Sequence, residues 1–122
     1  LSDNKILIID DSKTFLKFIV DLLGDLPNIK IRLVHDPRLA IISAEEFLPD
    51  LILTDFEMPH LNGMEICQQI KKHKTLSIIP IMMLTTNNSE DQLIRAIDLG
   101  ADDFLFKASK KEVVLIKIKS LL

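Results

Sequence analysis

A chain of 122 residues and 13.9 kDa has room for one domain and no second. Apolar residues make up 48% of it and the mean hydropathy is +0.25, so a core can form without disulfide or metal staples, while 27% charged residues exclude an extended disordered chain. The net charge of −3 with scattered basic residues leaves no nucleic-acid footprint, and the longest apolar stretch, residues 78–84, contains Pro80 and falls far short of the roughly 20 residues of a membrane span.

A lone cysteine, Cys67, forbids an internal disulfide and any Cys-rich metal site, and it suits a reducing cytoplasm, the expected location. No signal peptide is expected. The chain opens Leu1-Ser2-Asp3 rather than on Met, so residues 1–122 are expected to be one domain excised from a longer protein.

Along the chain, apolar runs alternate with stretches of helical spacing. The run 5–9 ends in Asp10-Asp11, and Ser12 caps a helix over 13–23 with Phe15, Ile19, Leu22 and Leu23 on one face. Leu26-Pro27-Asn28 breaks to a second run, 29–34, ending near His35-Asp36. A helix over 38–48 carries Leu39, Ile42 and Phe47 as its apolar residues. Pro49-Asp50 launches the run 51–54, which ends at Asp55, and Gly63 stands at the entry to a helix over 64–72 bearing Met64, Cys67 and Ile70. The run 78–84 ends in Thr85-Thr86. Ser89 caps a helix over 90–99 with Leu93, Ile94 and Ile97, and Gly100 falls where a left-handed residue is expected. The last run, 103–106, ends in Lys107 and precedes a helix over 110–122, with Val114, Leu115, Ile118, Leu121 and Leu122 on one face and Val113 and Ile116 on the other.

Runs that are apolar at consecutive positions are strands covered on both faces. Five strand–helix alternations predict an α/β domain: a doubly wound, five-stranded parallel sheet in the order 2-1-3-4-5 with five helices on both faces.

Ligands of such sheets bind beyond the carboxyl ends of the strands. Asp10, Asp11, Asp55, Thr85 and Lys107 all terminate runs. With strands one and three adjacent, the three carboxylates converge, and two charges about 4 Å apart repel by about 4 kcal/mol at an effective dielectric of about 20. Either each Asp merely opens a turn, or the cluster holds a proton or a hard cation, Mg²⁺ or Mn²⁺. A lysine and a hydroxyl facing neutralised acids suit an incoming phosphoryl group, with Asp55 as the nucleophile that forms an acyl phosphate.

Asp10-Asp11, Thr54-Asp55 followed by Met58-Pro59 and Gly63, then Thr85 and Lys107, resemble the receiver domain of two-component response regulators, over essentially the whole chain. The resemblance implies a flavodoxin-like fold and a Mg²⁺-dependent switch rather than an enzyme, apart from assistance to its own phosphorylation and dephosphorylation. Asp55 would accept the phosphoryl group from a histidine kinase or a phosphotransfer protein. Asp11 would ligate the metal directly and Asp10 mainly through water, with further oxygens from Asp55 and the backbone carbonyl of Glu57. Thr85 would move toward the phosphate, Lys107 would pair with it, and Phe104 would be the switch aromatic. The readout would be an output domain of the parent chain or a partner protein, or a homodimer through the fourth helix, fifth strand and fifth helix. No direct nucleic-acid contact and no membrane insertion are implied.

Two departures stand out. Ala108 replaces the family's usual proline after the lysine, and Phe104 lacks a tyrosine's hydroxyl. Glu57 and Asn87 flank the site; Glu57 either alters phosphate lifetime or is a solvated loop residue. Val113 and Ile116 either form a docking patch or are incidental surface residues. His35, His60 and His73 share no metal spacing, and Cys67 belongs to the apolar stripe of its helix. Competing classes are an FMN-binding domain, an aspartyl-nucleophile phosphatase and a binding-only pseudo-receiver. Asp10-Asp11 would repel a flavin phosphate, the phosphatase would need a general acid where Glu57 stands, and the retained Asp55 and Lys107 weigh against a pseudo-receiver.

Overall fold

The computed structural model describes residues 3–86 and 89–122. Five strands, β1 (Asn4–Ile9), β2 (Ile29–Val34), β3 (Leu51–Asp55), β4 (Ile81–Thr85) and β5 (Asp103–Phe106), pair in parallel in the order β2-β1-β3-β4-β5. Between and after them run α1 (Lys13–Leu23), α2 (Ala40–Phe47), α3 (Gly63–Lys72), α4 (Glu90–Asp98) and α5 (Lys111–Leu121). This is the expected doubly wound α/β fold.

Side chains alternate across a strand, so a strand apolar at every position feeds two cores. Leu7, Ile9, Ile52 and Met83 point to one face, where α2, α3 and α4 contribute Ala44, Phe47, Ile66, Ile70 and Ala96. Ile6, Ile8, Leu51, Leu53 and Leu84 point to the other, against Phe15, Ile19 and Leu23 of α1 and Val114 and Ile118 of α5. Cys67 is fully buried in the first cluster, as its stripe predicted. No described helix is long and apolar enough to cross a membrane.

Three predicted details differ. The fourth strand begins at Ile81, not at residue 78: Leu76–Ile78 form a 3-10 turn, and Pro80 has no N–H for the ladder. Ile78 is instead almost wholly exposed. In α2 the buried residues are Ala40, Ala44 and Phe47, while Leu39 and Ile42 face solvent. A 3-10 turn at Pro37–Leu39 precedes this helix, and its alanines let the backbone lie close to the sheet. In α4 only Ala96 is buried, and Ile94 and Ile97 are exposed. Side-chain bulk misled in both helices because small residues mark where a helix approaches most closely. Gly100 does adopt a left-handed conformation (φ 105°) just past α4.

Register places the chemistry. Ile9 pairs with Thr54, Asp55 with Leu84, and Thr85 with Phe106. The residues that end β1, β3, β4 and β5 therefore lie side by side at one edge.

Candidate functional site

Asp10 follows β1 directly and is fully buried, its N–H donating to the Val34 carbonyl (3.0 Å). Its Oδ1 accepts from the Ser12 N–H (2.9 Å), and its Oδ2 lies 2.6 Å from Lys107 Nζ. Asp55 ends β3 and is 7% exposed, with Oδ1 3.3 Å from the same ammonium. Asp11 is exposed, and one oxygen from each of Asp10, Asp11 and Asp55 falls within 4.8 Å of the others.

Burial pushes the Asp55 carboxyl up to about 6, and the Asp10 charge adds to that rise while Lys107 opposes it. One ammonium thus offsets three acids incompletely. Asp10 Oδ2 is buried and, beyond the ion pair, accepts no hydrogen bond from the described residues. A converging all-carboxylate donor set carrying more negative charge than one ammonium offsets fits a hard divalent cation such as Mg²⁺ or Mn²⁺.

Lys107 is enclosed by more than acids. Its side chain is 12% exposed, and Nζ lies 4.7 Å from the centroid of the Phe15 ring on α1. Ser12 caps that helix as predicted, Oγ accepting from the Phe15 N–H (3.2 Å). The Lys107 N–H donates to the Thr85 carbonyl (2.8 Å), tying the ends of β4 and β5 together. Among the described residues every peptide bond is trans, including the one into Ala108.

Thr85 is buried at the end of β4. With Asp55, Phe56, Glu57, Thr86 and Gln92 it lines a pocket of about 160 Å³. Glu57 is exposed yet forms part of this wall, and its Oε1 accepts from Gln92 Nε2 (3.4 Å), which connects the loop after β3 to α4. Asn87 lies outside the described residues. Sequence reasoning did not find Gln92 or the part played by Phe15, since neither ends a strand; the spacing of Phe15 to the Ser12 cap was the available signal.

Gly63, the first residue of α3, packs against the Asp55 backbone. A Cβ there would overlap the Asp55 carbonyl oxygen and sit 2.8 Å from Met83 Sδ. The Gly63 N–H donates to the Phe56 carbonyl (3.0 Å), and Asn62 and Glu65 form a reciprocal capping box. The loop after Asp55 is held at both ends.

Farther out, Phe104 on β5 is half-buried beneath Lys117, whose Nζ is 4.6 Å from the ring centroid and donates to the Phe104 carbonyl (2.8 Å). The ring also borders an open apolar groove with Leu93, Ile94 and Ile97 of α4. Val113 and Ile116 are exposed on α5, as predicted. His35 and His60 are surface residues, and His73 pairs with Glu45 (3.0 Å) far from the carboxylates in sequence.

Comparison with known proteins bears on this arrangement. Residues 6–119 match the family model described as the response regulator receiver domain. The chain is 32% identical over 118 residues to the response regulator ArlR of Staphylococcus saprophyticus, an alignment covering 97% of this chain and 52% of that protein. The chain spans about half the length of most of the curated relatives it matches. Among solved structures, the chemotaxis protein CheY4 of Vibrio cholerae superposes with a TM-score of 0.91 at 26% identity, over 99% of this chain and 100% of that one. The Mn²⁺-bound form of the response regulator Rcp1 superposes with a TM-score of 0.81 at 25% identity, over 97% and 91%.

Proposed function

The chain belongs to the response regulator receiver domain family, and from that premise we propose that it is a phospho-accepting switch whose acceptor is Asp55. The observation that carries this is the placement of Asp55: nearly buried, crowded by two other acids, paired with Lys107, and opening on a small pocket that contains Thr85.

The donor is the phosphohistidine of a histidine kinase or a phosphotransfer protein. An Asp55 carboxylate oxygen attacks phosphorus, the P–O bond forms as the P–N bond breaks, and the electron pair leaves with the imidazole. Lys107 turns from Asp55 to a phosphoryl oxygen, and the Thr85 hydroxyl donates to another. Asp10, Asp11 and Asp55, with the backbone carbonyl of Glu57, would hold a divalent cation. Positive charge from Mg²⁺ or Mn²⁺, when bound there, would offset the acids and the transferring phosphoryl oxygens. The Glu57 side chain, on the pocket wall, sets access of water to the acyl phosphate.

Phosphorylation adds about −1.5 to −2 charge and shifts the domain only if one conformation contacts the phosphate better. Thr85 and Lys107 make that contact, and Phe104, on β5 between them and α4, transmits it to the surface formed by α4, β5 and α5. That surface controls an output domain or a partner protein, or forms a homodimer, in a cytoplasmic signalling protein of which residues 1–122 are the receiver module. The test is intact-mass analysis after incubation with Mg²⁺ and acetyl phosphate. The chain gains one phosphoryl group and Asp55→Asn gains none; an adduct on Asp55→Asn refutes the assignment.

A further inference from the structure

Four contacts form a closed circuit around Lys107. Asp10 Oδ1 accepts from the Ser12 N–H (2.9 Å), and Ser12 Oγ accepts from the Phe15 N–H (3.2 Å). The Phe15 ring faces Lys107 Nζ (4.7 Å), and that ammonium returns to Asp10 Oδ2 (2.6 Å). The first turn of α1 is thereby pinned to the same carboxylate that the lysine contacts, so the ring is held in place rather than merely near. Phe15 is itself 8% exposed and leans on Phe18, with ring centroids 5.9 Å apart. Lys107 is followed by Ala108, Ser109 and Lys110, so no ring-constrained residue stiffens the segment after it.

A lysine side chain has four rotatable bonds, and two acids on one side attract its ammonium without fixing its approach. The negative face of the Phe15 ring over the ammonium adds a further constraint. In a desolvated site this attraction is comparable to a hydrogen bond, because water does not compete for the cation.

We propose that Phe15 is a positioning residue for Lys107, its ring face holding the ammonium between Asp10 and Asp55 in readiness for an incoming phosphoryl group. The proposal rests on the role of Lys107 in phosphoryl transfer to Asp55. The attraction acts through the ring's quadrupole, so removing electron density from the ring weakens it while packing is kept. Packing alone would be indifferent to that change.

The test replaces Phe15 with mono-, di- and trifluorinated phenylalanine, and separately makes Phe15→Leu, with thermal unfolding as the check on folding. Two quantities are read: the acetylation rate of Lys107 by acetic anhydride in the metal-free protein, located by peptide mass spectrometry, and the rate of phosphorylation by acetyl phosphate with Mg²⁺. Labelling of Lys107 rises stepwise with fluorination, by about tenfold at the trifluoro step, and phosphorylation falls in the same order. Phe15→Leu matches the trifluorinated protein. Rates that stay flat across the fluorinated series overturn the proposal, whether or not Phe15→Leu changes them, because a response to Leu alone means packing. The labelling series stands without phosphoryl transfer. If the unmodified chain accepts no phosphoryl group, the function proposed above fails while labelling alone still decides the place of Phe15.

Discussion

Gly63 and Asp55 are in direct backbone apposition: a single carbon added at Gly63 would overlap the Asp55 carbonyl oxygen. The end of β3 that carries the Asp55 carboxylate is therefore packed against a residue with no side chain, eight places along the sequence. Gly63→Ala forces α3 off the end of β3 and displaces Met83 as well. Relief of glycine's unfolded-state entropy is worth about 0.4–1 kcal/mol, whereas overpacking costs about 1–3 kcal/mol, so the variant is less stable. Urea denaturation checks the sign, and a variant as stable as the parent would show that the helix yields freely.

Asp55 makes the metal-free protein's stability depend on pH. Its carboxyl is raised to about 6 from 3.8, so the folded state holds the proton more tightly than the unfolded chain. That contribution is fully present below the unfolded value and is lost as pH rises through about 6. At pH 8 the ionised carboxylate then costs about 3 kcal/mol, taking about 1.4 kcal/mol per pK unit. Asp55→Asn removes this cost. Urea melts without metal show the variant more stable than the parent at pH 8, with the difference fading toward pH 4.

Lys107 is the opposing influence on that carboxyl, 3.3 Å away. Lys107→Met removes the ammonium that, among the described residues, pairs with Asp10 and Asp55, and the Asp55 carboxyl moves above about 6. A carboxyl-carbon NMR titration of the metal-free variant reads the shift directly. An unchanged value would mean that the lysine is held by Asp10 alone.

Much of this could be read from residue order. Consecutive apolar positions in residues 5–9 and 51–54 announced strands covered on both faces, and the acids, hydroxyl and lysine ending the runs announced one chemical edge. What escaped was set by distance in space. The rotation of α2 and α4 depended on Ala40, Ala44 and Ala96, which carry little hydrophobic signal but permit close approach. Phe15 reads as an ordinary core residue until β5 brings Lys107 across to it. The contact of Gln92 with Glu57 spans 35 positions and two elements, with no local pattern to mark it.

Ile116 tests the outward signal. It is 68% exposed on α5, beside Val113 at 40%, and both stand clear of the buried Val114 and Ile118. Ile116→Glu leaves the fold and phosphorylation intact and reduces phosphorylation-dependent association, measured by analytical ultracentrifugation with and without phosphoryl donor. Unchanged association assigns the patch to incidental surface.

Reductive trapping reads the acceptor directly. Borohydride converts an aspartyl phosphate to homoserine, so phosphorylation with acetyl phosphate and Mg²⁺, reduction and peptide sequencing locate the acyl phosphate. Homoserine appears at position 55 while Asp10 and Asp11 stay aspartate; homoserine at either of those, or at none of the three, refutes Asp55 as the acceptor.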